Sequence, residues 1–126
     1  MTGLDKLEAN ELKQELRAKA GFRCVICGEV LDPELFDLGH RVLKSRSMIE
    51  TYGREVIFHP LNMLPVCNKK RAGVSCNDRC NLAGQRVQAH ELLDRIIRIT
   101  TGRESEPDMA YEYELLREEF AECWKP

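Results

Sequence analysis

Six cysteines sit at positions 24, 27, 67, 76, 80 and 123, and the first two form the compact pair "CVICG". That spacing constrains the chain more than any other feature, because a Cys-x-x-Cys turn lets two sulfurs converge on one ion, and a tetrahedral metal then needs two further ligands from elsewhere. Cys67, Cys76 and Cys80 supply that second pair with one to spare. Eight residues separate Cys67 from Cys76 and three separate Cys76 from Cys80, so spacing leaves the choice of partners open. The rival uses of clustered thiols fit less well. A disulfide framework belongs to secreted domains, and the first apolar stretch is broken by Asp5, Lys6 and Glu8, unlike a signal peptide. A thioredoxin-like pair opens a helix in a βαβ pattern that is missing here. A zinc site in a cytoplasmic protein is therefore the expectation. Cys123, alone near the C-terminus, reads as an ordinary packed thiol.

With 126 residues the chain can bury one core, so a single domain over 1–126 is expected. No apolar run approaches the roughly 18 residues needed to span a bilayer, and no membrane association is expected. Helix-forming residues with Leu4, Leu7, Leu12, Leu16 and Ala20 on one face predict an N-terminal helix within residues 1–21, stopped by Gly21. A second helix is predicted over 84–101, with Ala89, Leu92, Leu93, Ile96, Ile97 and Thr100 along one stripe, and a third from Pro107 to about Cys123, with Leu115, Leu116 and Phe120 turned inward. Residues 22–85 lack a long helical period and read as short strands and loops, "LFDLGH" and "EVIFH" being the strand candidates.

The net charge is only −2, which argues against binding nucleic acid through bulk charge, yet the charge is unevenly spread. Residues 40–79 carry eight Lys or Arg against three acids, a local excess of +5, whereas residues 107–126 carry six acids against Arg117 and Lys125. Between the two cysteine groups lie His40 in "LGHRV", then His59 and Asn62 in "HPLNMLPVC", then "CND". If one ion joins the groups, these polar residues belong to a loop pinned at both ends and are held near one another. His90, on the second predicted helix, reads as surface or packing.

The order of these motifs resembles the HNH nuclease family in its zinc-bearing branch, over about residues 22–85, and the Gly39–His40 pair is similar to the phage NinG-type variant. The resemblance implies an α+β fold: a zinc-stabilised ββα-metal (His-Me finger) core with flanking N- and C-terminal helices. It implies an endonuclease that hydrolyses DNA, expected double-stranded, with His40 as general base, Asn62 as the central asparagine, and Asn77 at the third position. Asn81 has a weaker claim to that third position. Because Asn77 directly follows Cys76, the resemblance favours Cys76 over Cys80 as the ligand. It further implies a catalytic Mg²⁺ or Mn²⁺ distinct from the zinc. Many members carry an acid just before the histidine, where this chain has Gly39, leaving Asp37, His59 or Asp78 as candidates to hold that ion. Arg41, Lys44, Arg46, Lys69, Lys70 and Arg71, with Arg54, would contact phosphates without reading bases. A zinc module without catalysis, binding nucleic acid or a protein, is the alternative that Gly39 favours.

Overall fold

A computed structural model describes residues 6–71, 73–82 and 84–124, with the side chains of 6–8, 71 and 122–124 outside the description. The element order is α1 (Lys6–Lys19), β1 (Phe36–His40), α2 (Arg46–Tyr52), α3 (Arg54–Ile57), a 3-10 turn (Pro60–Asn62), β2 (Met63–Cys67), β3 (Lys70–Arg71), β4 (Val74–Ser75), α4 (Cys76–Cys80), α5 (Arg86–Thr100) and α6 (Met109–Trp124). It is an α+β arrangement of helices around two small antiparallel sheets.

β1 and β2 pair antiparallel, from Phe36 opposite Cys67 to His40 opposite Met63. All five residues of β2 are buried, so its run of apolar side chains reads as a central strand rather than an alternating one. Pro65 is tolerated there because its backbone faces away from β1. The Pro65 carbonyl accepts a hydrogen bond from Val25 N–H at 3.0 Å, tying the first cysteine turn to the sheet. α4 packs across β1 and β2, and the β3–β4 hairpin bridges Cys67 to Cys76. Short helices are closed by local caps: Ser45 Oγ accepts from Met48 N–H at 3.3 Å and Ser75 Oγ from Asp78 N–H at 3.0 Å.

The outer helices lock this centre. Tyr113 of α6, fully buried, donates its hydroxyl to the Met63 carbonyl at 2.8 Å. Arg117 donates to the carbonyls of Cys24 (3.3 Å), Arg23 (3.2 Å) and Ala20, joining α6 to the end of α1 and the first cysteine turn. Arg95 of α5 grips Glu112 through two bonds of 2.7 and 3.1 Å. The buried apolar residues, from Leu16 to Tyr113, form one contiguous core.

Three expectations need correction. "EVIFH" is helical from Arg54 to Ile57, and the strand lies in "MLPVC" instead. An apolar run as short as residues 56–58 cannot by itself separate a buried helical turn from a strand, and Gly53, at φ 89°, lets a second helix start directly after α2. The helix predicted from Pro107 begins at Met109, because the Asp108 carboxylate accepts from Ala110 N–H at 3.1 Å and caps it. Its inward stripe is Met109 and Tyr113, with Leu116 and Phe120 packed against the core, while Leu115 is exposed. The Cys123 side chain lies outside the described residues.

Gly39 is required by packing. A Cβ there would sit 2.5 Å from Cys80 Sγ and 3.1 Å from Asn77 Oδ1, so any side chain at 39 forces these two α4 side chains to move. An acid at this place would push the helix off the strand. Gly39→Ala is expected to cost about 1–3 kcal/mol in urea unfolding. In a Cys80→Ala background the same change should cost clearly less, since the closest clash is removed; equal costs in both backgrounds would show that α4 does not crowd Gly39.

Candidate metal centre and histidine groove

Four sulfurs converge. The Sγ atoms of Cys24, Cys27, Cys67 and Cys76 all lie within 4.8 Å of one another, with Cys27 to Cys67 and Cys67 to Cys76 both at 3.6 Å. A zinc ion with Zn–S bonds of about 2.3 Å needs tetrahedral sulfur separations of about 3.8 Å, so this donor set could hold a metal ion such as zinc. The first turn is shaped for the purpose: Gly28, at φ 79°, returns its N–H to the Cys24 carbonyl at 2.9 Å, and Cys27 N–H points at Cys24 Sγ at 3.5 Å. The second pair is a strand end and a helix start, Cys67 closing β2 and Cys76 opening α4. Burial pushes the Cys24 thiol up to about 11 and raises Cys76 as well, the neighbouring thiols adding to both. A bound cation would reverse that by stabilising the thiolates.

Cys80 stands outside the cluster. Its thiol donates to the Asn77 carbonyl at 3.0 Å, with the His40 carbonyl at 3.8 Å, beneath Gly39. Of the two partners the spacing allowed for Cys67, geometry brings in Cys76. Cys80 is instead a buried packing thiol of α4, since a fifth sulfur has no place in a tetrahedron.

The four-thiol cluster closes both ends of the segment that carries His40. That histidine ends β1, is 8 % exposed, and meets Phe58 edge-on with ring centroids 5.4 Å apart. Its Nε2 is buried without a hydrogen-bond partner among the described residues. It lines a groove of about 630 Å³ whose walls come from α1, β1, α3 and α4, Asn77 among them. A smaller recess of about 210 Å³ adjoins on the α4 side, lined by His40, Asn77, Asp78 and Asn81. Desolvation first, and the nearby Lys44 ammonium second, bring the His40 ring down to about 4, only partly opposed by a hydrogen bond with the Leu38 backbone. The imidazole is therefore neutral at physiological pH.

Asn62 does not touch that ring. Its carboxamide is wholly buried and fully used: Oδ1 accepts from Val42 N–H at 2.7 Å, and Nδ2 donates to the carbonyls of Val42 (3.0 Å) and Ile57 (2.8 Å). Asn62, expected at the active centre, instead makes a clasp across the loop that β1 and β2 enclose. Asn62 thus positions His40 through the backbone two residues on. His59 is likewise structural, its Nδ1 accepting from Leu61 N–H at 3.1 Å and its Nε2 lying 3.1 Å from Glu106. Asn77 alone of the two asparagines first expected at the site lines the groove with His40.

The basic residues divide. Lys44 and Arg54 line the groove. Arg41 turns inward, its Nε donating to the Cys80 carbonyl at 3.4 Å and its guanidinium lying 5.8 Å from the Phe120 ring centroid. Arg46 pairs with Glu50 at 3.0 Å and Lys69 with Glu29 at 3.2 Å, both well exposed. Lys70 is exposed on β3, and the Arg71 side chain lies outside the described residues. Lys13 of α1 and Phe58 also line the groove. Neither carries a local signal, because only tertiary packing brings α1 to face His40.

The chain matches no protein-family model, and no curated protein or solved structure is significantly similar to it.

The depressed His40 pKa makes stability depend on pH. An unfolded imidazole takes up its proton near 6.5 and the folded one only near 4, so the contribution is whole above 6.5 and is lost as pH falls toward 4. The loss is bounded at roughly 3 kcal/mol. Chemical denaturation from pH 7 to 4 should therefore show a steeper decline for the wild type than for His40→Gln, whereas parallel curves would mean that the ring ionises freely in the fold.

Proposed function

We propose that the protein is a metal-dependent endonuclease that hydrolyses DNA phosphodiester bonds with His40 as general base, on a ββα-metal core held by structural zinc at Cys24, Cys27, Cys67 and Cys76. The observation that carries the reading is His40 itself. A neutral, buried imidazole with an unpartnered nitrogen, lining a groove that also carries Lys13, Lys44 and Arg54, is suited to taking a proton from water. Two strands and a crossing helix present it beside Asn77, in the order the HNH resemblance implies.

In the proposed reaction water attacks phosphorus, its proton passes to His40, and the bond to the leaving oxygen breaks. Lys44 and Arg54 would hold the phosphate charge, and that negative charge favours the imidazolium, raising the ring toward the range of an efficient base. A divalent Mg²⁺ or Mn²⁺ would neutralise charge building on the phosphate and leaving oxygen. Among the described residues no group of three or more His, Cys, Asp or Glu side chains besides the thiols could share an ion. Such a cation would therefore rest on few protein atoms, Asn77 with Asp37 or Asp78, and on the phosphate. Lys44, Arg54 and Lys70 are the exposed or groove-lining candidates for phosphate contact, Arg46 and Lys69 stay accessible in weak surface pairs, and Arg41 turns inward to the Cys80 carbonyl.

A zinc module without catalysis is the second reading, favoured by the packing that excludes an acid at Gly39. Supercoiled plasmid with Mg²⁺ or Mn²⁺ separates the two. The wild type should nick it in a metal-dependent manner, and His40→Ala should lower the rate at least about 100-fold. A metal-independent or absent activity, or a variant as fast as the wild type, would leave the binding module standing.

A further inference from the structure

We propose that the groove above His40 is a slot for an unpaired nucleotide, so that the substrate is single-stranded or locally unpaired nucleic acid rather than continuous duplex; this rests on the nuclease reading of His40. The first argument is depth. His40 is 8 % exposed and its Nε2 is buried, so a scissile phosphate must enter the groove to approach it. A strand locked in a duplex, with its partner strand alongside, is too wide to do so, whereas an unpaired strand can enter.

The second argument is what lines the groove. A phosphate and an ion would fill only part of about 630 Å³, a volume typical of sites for whole organic ligands. Leu12, Leu38, Phe58 and Met63 give it apolar walls that a phosphate would not use. The Arg54 guanidinium lies over the Phe58 ring, 4.7 Å from its centroid, and both line the groove. Such a planar cation on an aromatic ring is a platform on which a base stacks without regard to its identity. Lys13, Lys44 and Arg54 outnumber Asp37 and Glu55 around the groove, matching a polyanion with an apolar base attached. Lys13 comes from the N-terminal helix, outside the segment between the cysteines, so α1 serves as a wall of the slot.

Oligonucleotides of one sequence, as single strand, as continuous duplex and as duplex with a short bulge, each carrying 2-aminopurine at the test position, provide the experiment. Binding without divalent metal should favour the single strand and the bulge over duplex by about ten-fold, as one stacked base supplies. The 2-aminopurine emission should change on binding in those two alone, and Lys13→Glu should reduce the preference. Duplex binding as tight as single strand, unchanged emission in all three, or no binding of any oligonucleotide would overturn the slot. Cleavage in Mg²⁺ is read separately: preferential binding with no cleavage supports the slot and overturns the nuclease reading. Cleavage of duplex as fast as single strand keeps the nuclease and overturns the slot.

Discussion

Convergence of four thiols from three separate places in the chain is the constraint on which the remaining structure depends. Cys24 and Cys27 lie in a turn after α1, Cys67 at the end of β2, and Cys76 at the start of α4, yet their sulfurs lie within 4.8 Å of one another. Without a cation, three buried thiols and the half-buried Cys27 in contact gain little, because small sulfur groups bring modest apolar area and no strong hydrogen bonds. With one, the metal's binding free energy becomes folding free energy for the strands and α4. The turn is further held by Val25 N–H on Pro65 and by Arg117 on the Cys24 carbonyl. Sheet, C-terminal helix and cysteine cluster therefore share one set of backbone groups.

From that clamp the placement of His40 follows in steps. β1 is registered against β2, which ends in Cys67, so the position of the thiol cluster sets the position of His40 opposite Met63. α4 begins at Cys76 and crosses β1 so that its Cys80 and Asn77 side chains crowd residue 39, which brings Asn77 beside the histidine. The long connection between the strands is folded back by Asn62, whose three hydrogen bonds hold Val42 and Ile57 together. Leaving such buried backbone groups unpaired would cost about 1–3 kcal/mol each, so this residue is under a structural demand independent of any chemistry at the ring.

The fold was legible in the sequence where its determinants are local. The stripe Leu12, Leu16 and Ala20 marks α1, and the Cys-x-x-Cys-Gly turn marks the first half of the cluster, because backbone geometry alone dictates the residue types. What could not be read was set by tertiary contacts. "EVIFH" and "MLPVC" are both short apolar runs, and only burial on all sides makes the second a strand despite Pro65. Neither could the spacing decide between Cys76 and Cys80, both buried on one helix; the difference is which side of α4 faces Cys67 and which faces Gly39. His40 and Asn77 were legible through motif order, whereas Lys13 enters the groove from a helix far away in sequence, and the partner of Asn62 turned out to be backbone.

X-ray absorption at the zinc edge on purified, reduced protein tests the clamp most directly. The account predicts one zinc per chain with four sulfur neighbours at about 2.3 Å, and loss of the signal's sulfur shell on substituting Cys76 but not Cys80. A chain that folds cooperatively without metal, or a coordination shell containing imidazole nitrogen, would contradict it.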